Sequence, residues 1–406
     1  MPFSPRAYKN TTEIGNLNGV PLCISDMIDA ALRGKLNTFL QGDTGSGKTQ
    51  LLRDVMAYFG DKSLFILGRN DMDTRELFQQ VNPEFLRAVR NAGDTSQLNF
   101  KELTDKIKYH FIGVDELPNC LPVVRSQLFN LFDGFIEIDG KAYTIGSDYC
   151  VGIATGNIGQ QFTESSNELG RALKDRLHLV IDTDYFRPQP KDTYEMWKKD
   201  RNPRVQFDET LEDKTDEIKE AHTTLQNAPV PEEKLIIASY LVHGLDYLEG
   251  GKSKIGLKEG WPNKLQNHER GSDAGLILPV SPRASKSIIT LSQALDQITK
   301  EKGATDQDYF NSMMLAFKFV SAYSGILNEA EVRQNDHYSG NHYAAMDAVI
   351  DTTRAQFEEK KNLIAAGIGM VNQRKTNEKI LKACSGRWSF MRKLLEGLSI
   401  QHDTPR

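Results

Sequence analysis

One short run of residues constrains this chain more than any other feature. Gly42-Asp43-Thr44-Gly45-Ser46-Gly47-Lys48-Thr49 has the spacing G-x-x-x-x-G-K-[ST]. Residues 36–40 before it read as a short buried strand, and residues 50–58 after it carry apolar side chains at helical spacing. A strand, a glycine-rich turn and a helix N-terminus direct several backbone N–H groups at one point, which suits a polyphosphate. We therefore expect the run and Gln50 to bind nucleotide phosphates, with Lys48 reaching the β- and γ-phosphates and Thr49 holding Mg²⁺.

Composition indicates a globular protein of two or three domains. The chain has 406 residues, of which 39% are hydrophobic and 26% charged. The formal net charge of −5 argues against a surface that is basic throughout. No apolar run is long enough for a membrane span, and the N-terminus lacks the apolar core of a signal peptide. The four cysteines form no C-x-x-C pair, so we expect reduced thiols in a cytoplasmic protein.

Strands and helices alternate up to about residue 190, which predicts a parallel sheet covered by helices on both faces. After that point the segments are helical, apart from a Gly- and Lys-rich stretch that predicts a mobile loop. Residues 72–107, ahead of the third strand, also read as helical. We expect an N-terminal arm (1–21), an α/β nucleotide-binding domain (22–190), a helical lid domain (191–329) with a loop insertion (250–275), and a helical C-terminal extension (330–406).

Two acids follow the third apolar strand. Asp115 and Glu116 lie about 65 residues after the phosphate loop. An acid at the tip of a strand beside that loop is placed to hold Mg²⁺ and its waters, and a second carboxylate can polarise the water that attacks the γ-phosphate. Asn157 ends the next strand and is expected to orient the same water, although an Asn there is also a common turn former.

The order of these motifs resembles that of the AAA+ ATPases, and further segments resemble the MoxR-type and dynein-related group. Residues 117–133 are similar to the second helix of that group. Residues 134–146 read as a β-hairpin around an Asp139-Gly140 turn. Residues 167–177 and 281–286 resemble the segments that carry the trans-acting arginine and the second sensor.

The resemblance implies a P-loop AAA+ αβα sandwich followed by a helical lid, working as a homo-oligomeric ring, most simply a hexamer. Arg176, with Arg171 in reserve, would act on the nucleotide of the neighbouring subunit, and Arg283 would sense the γ-phosphate from the lid. The hairpin would project toward the ring pore. ATP and Mg²⁺ are the implied cofactors. The implied output is remodelling or activation of a protein partner, such as one with a von Willebrand factor A-type domain or a metalloenzyme awaiting its cofactor.

Two other functions stay open. The chain could be the nucleic-acid-directed motor subunit of a restriction or defence complex, which the basic tail favours mildly and the net charge does not. It could also be a scaffold that uses ATP only to close a ring. GTP is the alternative nucleotide. For the tail, whose apolar residues include Trp388, Phe390 and Met391, an amphipathic helix packed on the lid is the favoured interpretation over a nucleic-acid surface.

Overall fold

The computed structural model describes residues 3–69, 78–91, 101–138, 140–157, 176–207, 213–373 and 377–400. It divides into two compact units. The first comprises Met1–Ile14 and Pro21–Gln226, and the second comprises Gly15–Val20 and Asn227–Arg406. The boundary between the units falls at residue 226, whereas the composition changes near residue 190, so the four-part domain division stays a prediction.

The described strands are, in chain order, β1 Gly15–Leu17, β2 Val20–Leu22, β3 Thr38–Gly42, β4 Ser63–Leu67, β5 Gln79–Val81, β6 Lys101–Leu103, β7 Phe111–Asp115, β8 Phe135–Ile138, β9 Lys141–Thr144, β10 Val151–Asn157, β11 Leu179–Asp182, β12 Tyr247–Leu248 and β13 Lys252–Ser253.

The described α-helices are α1 Ile24–Gly34, α2 Lys48–Ala57, α3 Pro83–Arg90, α4 Pro122–Phe132, α5 Pro190–Lys199, α6 Thr215–Asn227, α7 Glu232–Ser239, α8 Asn267–Arg270, α9 Asp273–Leu276, α10 Pro282–Glu301, α11 Tyr309–Ser321, α12 Glu329–Gln334, α13 His342–Glu359, α14 Lys361–Gln373, α15 Glu378–Ala383 and α16 Ser389–Ile400. No helix among the residues described is both long and apolar enough to cross a membrane.

A five-stranded parallel sheet forms the centre of the first unit, in the order β11-β3-β10-β7-β4. Its register places Thr38 beside both Leu179 and Ile153, and Gly113 beside both Ile153 and Phe65. Because every pairing is parallel, the carboxyl ends of all five strands lie at one edge of the sheet. That edge therefore brings together the phosphate loop, Asp115 and Asn157.

Two glycines show that helices cover both faces of this sheet. A Cβ added at Gly113 would meet Leu52 of α2, and one added at Gly152 would meet the Phe132 ring of α4 at 2.3 Å. Gly152 pairs with Ile112 rather than with Gly113, so the two glycines face opposite sides of the sheet. The αβα arrangement predicted from the alternating pattern is confirmed.

The stretch predicted as helical between residues 72 and 107 differs in part from the prediction. Helix α3 lies there, but β5 and β6 flank it and pair antiparallel, with Gln80 opposite Glu102. Each strand has only three residues, too few for a period-two pattern to stand out. The predicted hairpin is present: β8 and β9 pair antiparallel, with Phe135 opposite Thr144 and Ile138 opposite Lys141. Asp139 of its turn lies outside the described residues.

The second unit is mainly helical and includes the C-terminal tail. Helix α10 packs against α11, and α7 packs against both. The Trp388 ring lies 5.2 Å from that of Tyr240 and 5.0 Å from that of Phe357, and it is fully buried. Met391 and Phe390 are buried beside it. The aromatic face of the tail therefore packs into this unit, as the amphipathic pattern predicts.

The predicted loop insertion at 250–275 is folded. Strands β12 and β13 pair antiparallel, and the helical turns α8 and α9 follow. Leu248, Leu265 and Ala274 form a small buried cluster with Trp261 packed against it. Lys254 is buried and donates to the carbonyl oxygens of Asp273 and Ile277, at 3.3 and 2.8 Å. The Gly- and Lys-rich composition conceals this small core, because its apolar residues are widely spaced.

Candidate active site

The phosphate loop joins β3 to α2 with the backbone that its glycines allow. Gly45 and Gly47 have φ of 84° and 86°, which residues with a Cβ rarely adopt. Gly47 immediately precedes α2, so the first N–H groups of that helix point toward the loop. A Cβ on Gly47 would lie 2.9 Å from the Tyr8 ring, whereas a Cβ on Gly45 would meet nothing within 4 Å.

The flanks of the loop are braced by the segment that follows β11. The Asp43 N–H donates to Asp184 Oδ2 at 2.5 Å. The Thr183 hydroxyl donates to Gln41 O and shares a hydrogen bond with the Ser46 hydroxyl. Thr44 N–H donates to the Asp43 side chain. These contacts fix the outer turn of the loop.

Lys48 is buried within the loop. Its Nζ donates to the carbonyl oxygens of Gly42 and Asp43, at 2.9 and 2.7 Å, and to Ser46 Oγ at 3.1 Å. Burial lowers the pKa of the Lys48 ammonium, while the carboxylates of Asp184 and Asp43 act in the opposite direction. The side chain is thus held at the position from which it can reach a phosphate bound at the start of α2.

Asp115 lies at the centre of a hydroxyl-carboxylate cluster. The Thr49 hydroxyl donates to Asp115 Oδ1 and Oδ2 at 3.0 and 3.2 Å, and the Thr155 hydroxyl also donates to Oδ1. Asp115 is 7% exposed. The two predicted metal ligands, Thr49 and Asp115, therefore lie in contact, and hard oxygen donors of this kind fit Mg²⁺.

Glu116 follows Asp115 in a left-handed conformation, with φ 57° and ψ 42°. Its N–H donates to the Thr155 hydroxyl at 3.0 Å, and Asn119 Nδ2 donates to its Oε2 at 2.7 Å. The Glu116 side chain is exposed, whereas that of Asp115 beside it is buried. Thr155 thereby positions both acids, a role that sequence reasoning missed because a Thr within a buried strand carries no signal of its own.

Asn157 ends β10 directly beside Gly42, the first residue of the loop, and its side chain is exposed. The structure therefore places Asn157 at the sheet edge that carries Asp115. This location is compatible with contact to a bound phosphate.

The arginines predicted to contact the γ-phosphate lie in different elements of the fold. Arg176 precedes the edge strand β11, and its Nε donates to Asp133 Oδ2 at 2.7 Å. Arg283 lies in the first turn of α10 in the second unit, where the Ser281 side chain caps the helix and Pro282 follows. Arg171, the reserve choice, falls outside the described residues.

The N-terminal arm is tied to the loop helix. The Asp54 carboxylate accepts the N–H groups of Ala7 and Tyr8, at 2.9 and 2.8 Å. Gln50 donates to Asp54 Oδ1 and exchanges hydrogen bonds with the backbone of Gln206. Gln50 is therefore engaged with protein groups at the end of the loop, and its spacing of four residues from Asp54 is the one signal in the sequence that predicts their contact.

Comparison with known proteins agrees with this geometry. The sequence matches the family model of the AAA domain, dynein-related subfamily, over residues 37–177. A search of curated proteins finds no significant match. The structure is similar to that of a candidate ATPase from Cytophaga hutchinsonii, with 16% identity over 80% of this chain and 88% of that chain and a TM-score of 0.52, which shows a shared fold.

A full-length MCM homolog from Methanopyrus kandleri also matches, with 12% identity over 75% of this chain and 56% of that chain and a TM-score of 0.44.

The family match spans the phosphate loop, Asp115, Glu116, Asn157 and Arg176. The resemblance to the dynein-related AAA+ ATPases is thus confirmed over residues 37–177, which match the model of a dynein-related AAA domain.

Proposed function

We propose that the chain is a Mg²⁺-dependent ATPase that assembles into a ring and uses hydrolysis to remodel or activate a protein partner. The observation that carries the catalytic part is the contact of Asp115 with both Thr49 and Thr155, with Glu116 following at the same sheet edge. A metal-binding acid, a hydroxyl of the phosphate loop and a second carboxylate are the groups that phosphoryl transfer to water requires.

Each group has one role in this proposal. Lys48 and the N–H groups at the start of α2 bind the phosphates, and Thr49 and Asp115 hold Mg²⁺. The metal supplies charge neutralisation on the β- and γ-phosphates. Glu116 accepts a proton from the attacking water, and Asn157 orients that water from the end of the neighbouring strand.

In the proposed ring, Arg176 and Arg283 have different roles. Arg176 completes the site of the adjacent subunit by neutralising charge on the transferred phosphoryl group. Its contact with Asp133 supports this role, because a hydrogen bond at Nε fixes the plane of the guanidinium. Arg283, at the start of a helix in the second unit, binds the γ-phosphate, so its contact depends on whether ATP or ADP is bound.

The partner is proposed from the family resemblance. In the MoxR-type group the hairpin projects toward the ring pore, and here β8 and β9 form such a hairpin with Glu137, Lys141 and Ala142 exposed. A protein partner with a von Willebrand factor A-type domain, or a metalloenzyme awaiting its cofactor, is the substrate class that this resemblance favours.

Native mass spectrometry of the wild type and of Glu116→Gln, each with and without ATP, tests the proposal. We expect an ATP-dependent hexamer in both, because removing the base should leave nucleotide binding intact, together with loss of ATP hydrolysis in the variant. Monomers under every condition would contradict the ring. Full cellular activity of Glu116→Gln would instead support the ATP-gated scaffold.

A further inference from the structure

Within the part of the chain that the structure describes, the exposed aromatic residues lie in one short stretch. The exposed rings are those of Tyr185, Tyr194, Trp197 and Phe207, and the last three are 64%, 69% and 65% exposed. A cluster of aromatic side chains that are about two-thirds exposed is uncommon on a surface that binds no ligand or partner. The stretch lies after β11, outside the groups assigned to ATP hydrolysis.

Two of these rings lie on the same side of α5. Tyr194 and Trp197 are three residues apart on the helix, so their side chains are neighbours. Lys191 and Lys198 lie three residues before and four residues after Tyr194, which places an ammonium group on either side of its ring. Arg201 follows just beyond the end of the helix.

The charge of the stretch is opposite to that of the whole chain. Residues 187–207 expose six cations and two anions, a balance of +4 against a chain total of −5. The third acid of the stretch, Asp192, is buried and accepts hydrogen bonds from the N–H groups of Thr11 and Gln189. The exposed cations are Arg187, Lys191, Lys198, Lys199, Arg201 and Arg204.

A cavity of about 500 Å³ extends the cationic region onto the N-terminal arm. Arg6, Lys9, Lys199 and Phe207 line it. The one acid in its wall, Asp54, already accepts two backbone N–H groups of the arm. The cations of α5 therefore continue into those of the arm, beside the exposed Phe207 ring.

We propose that Tyr194, Trp197 and Phe207, with the cations around them, form a binding surface for single-stranded nucleic acid. Tyr194 and Trp197 offer flat stacking faces to unpaired bases, and Phe207 offers the face that Arg53 does not cover. The cations lie where a phosphate backbone would pass. An acidic protein would find the same charge, but it would gain little from the Tyr194 and Trp197 rings, which stand on the convex surface of a helix. The surface acts independently of how hydrolysis is coupled to a protein partner.

Fluorescence anisotropy with a labelled oligothymidylate of about 20 nucleotides, longer than the site of one single-strand-binding fold, tests this inference. We expect Trp197→Ala to weaken binding about tenfold because the stacking face is removed, and Trp197→Phe to keep most of the affinity. Binding should also quench the Trp197 fluorescence, since Trp388 is buried and Trp261 is packed in its own cluster. Trp197→Phe should not show that quenching while still binding.

The charge contribution is tested with a matched pair of double variants. Lys198→Glu with Arg201→Glu should lower affinity and make the slope of log K against log[salt] shallower by about 1.4, at ~0.7 for each phosphate that is no longer neutralised. Lys379→Glu with Lys382→Glu changes the net charge equally at two exposed lysines of α15 and should bind as the wild type does. ATP hydrolysis without oligonucleotide should be unchanged in both, which shows that they fold.

Three results would overturn the inference: no binding by the wild type, equal reductions of affinity in the two double variants, or tighter binding of a labelled poly-glutamate peptide than of the oligonucleotide. The last would assign the surface to an acidic protein. None of these results bears on the hexamer expected with ATP, so failure here is distinguishable from failure of the proposed function.

Discussion

The side-chain amide of Asn119 donates a hydrogen bond of 2.7 Å to Oε2 of Glu116, the carboxylate proposed to activate water. Both side chains are exposed, and Asn119 lies in the short helical turn that follows Glu116. The carboxylate is therefore held by a neighbour along the chain. A hydrogen bond to the carboxylate lowers its basicity, so this contact competes with proton transfer to Glu116.

Asn119→Ala should raise the basal rate of ATP hydrolysis. Removing an exposed hydrogen bond that stabilises the ground state by ~0.7 kcal/mol corresponds to an increase in kcat of about threefold. Steady-state hydrolysis measures this directly. Adding Glu116→Gln to the variant should abolish the activity, and an unchanged or lower kcat in Asn119→Ala would contradict the competition.

Thr155→Val should destabilise the protein and slow hydrolysis. The Thr155 hydroxyl serves both Asp115 Oδ1 and the Glu116 N–H, so its removal leaves two polar groups without this partner and costs about 1–3 kcal/mol. Chemical denaturation measures the free energy of unfolding. Thr155→Ser retains the hydroxyl and should stay close to the wild type; equal destabilisation of the two variants would point to packing of the methyl group instead.

Gly47→Ala should weaken nucleotide binding more than Gly45→Ala. Both positions have a positive φ, so the backbone strain is similar, but the added methyl group clashes with the Tyr8 ring only at Gly47. We expect a difference of about tenfold in the Kd of a fluorescent ATP analogue, or ~1.4 kcal/mol. Tyr8→Ala should restore part of the affinity in Gly47→Ala and none in Gly45→Ala. Equal weakening without rescue would show that the arm does not constrain the loop.

Lys254 should make stability depend on alkaline pH. Burial lowers its pKa to about 8 from 10.5, so between these values the folded state holds a neutral amine while the unfolded state still binds the proton. The unfolded state then binds more protons, and the contribution of this residue to the free energy of unfolding rises with pH by up to about 3 kcal/mol. Below about pH 8 both states are charged at this residue, and its contribution is constant.

Urea unfolding at about pH 7 and at about pH 10 measures this rise in the free energy of unfolding. These two pH values lie on either side of the lowered pKa of Lys254. Lys254→Met should lack it, whereas Lys379→Met, at an exposed position, should retain it. If the free energy of unfolding changed with pH equally in the wild type and in Lys254→Met, Lys254 would keep its proton in the folded state.

Local patterns were sufficient to predict most of the sheet and the centre of the site. The phosphate loop follows a buried strand, Asp115 and Asn157 end two others, and parallel pairing requires the ends of such strands to meet at one edge. The aromatic face of the tail was predictable for a similar reason, since Trp388 and Met391 have helical spacing.

Contacts between distant residues were not predictable. Asp54 and Tyr8 are 46 residues apart, and nothing in either segment indicates that the backbone of one binds the side chain of the other. The strands β5 and β6 are too short for a visible alternation. The buried Lys254 reads as a surface residue, because its burial depends on Leu248 and Leu265 packing around the insertion.

The central claim is that hydrolysis takes place at sites shared between neighbouring subunits. Lys48→Ala should be inactive because it cannot hold the phosphates, and Arg176→Ala because it cannot complete the site of its neighbour. ATP hydrolysis by an equimolar mixture of the two variants tests the claim most directly. We predict partial recovery of activity, since each Lys48→Ala subunit supplies its intact Arg176 to the intact phosphate loop of an Arg176→Ala subunit. Activity no greater than the sum of the two variants measured alone would contradict an arginine that acts between subunits.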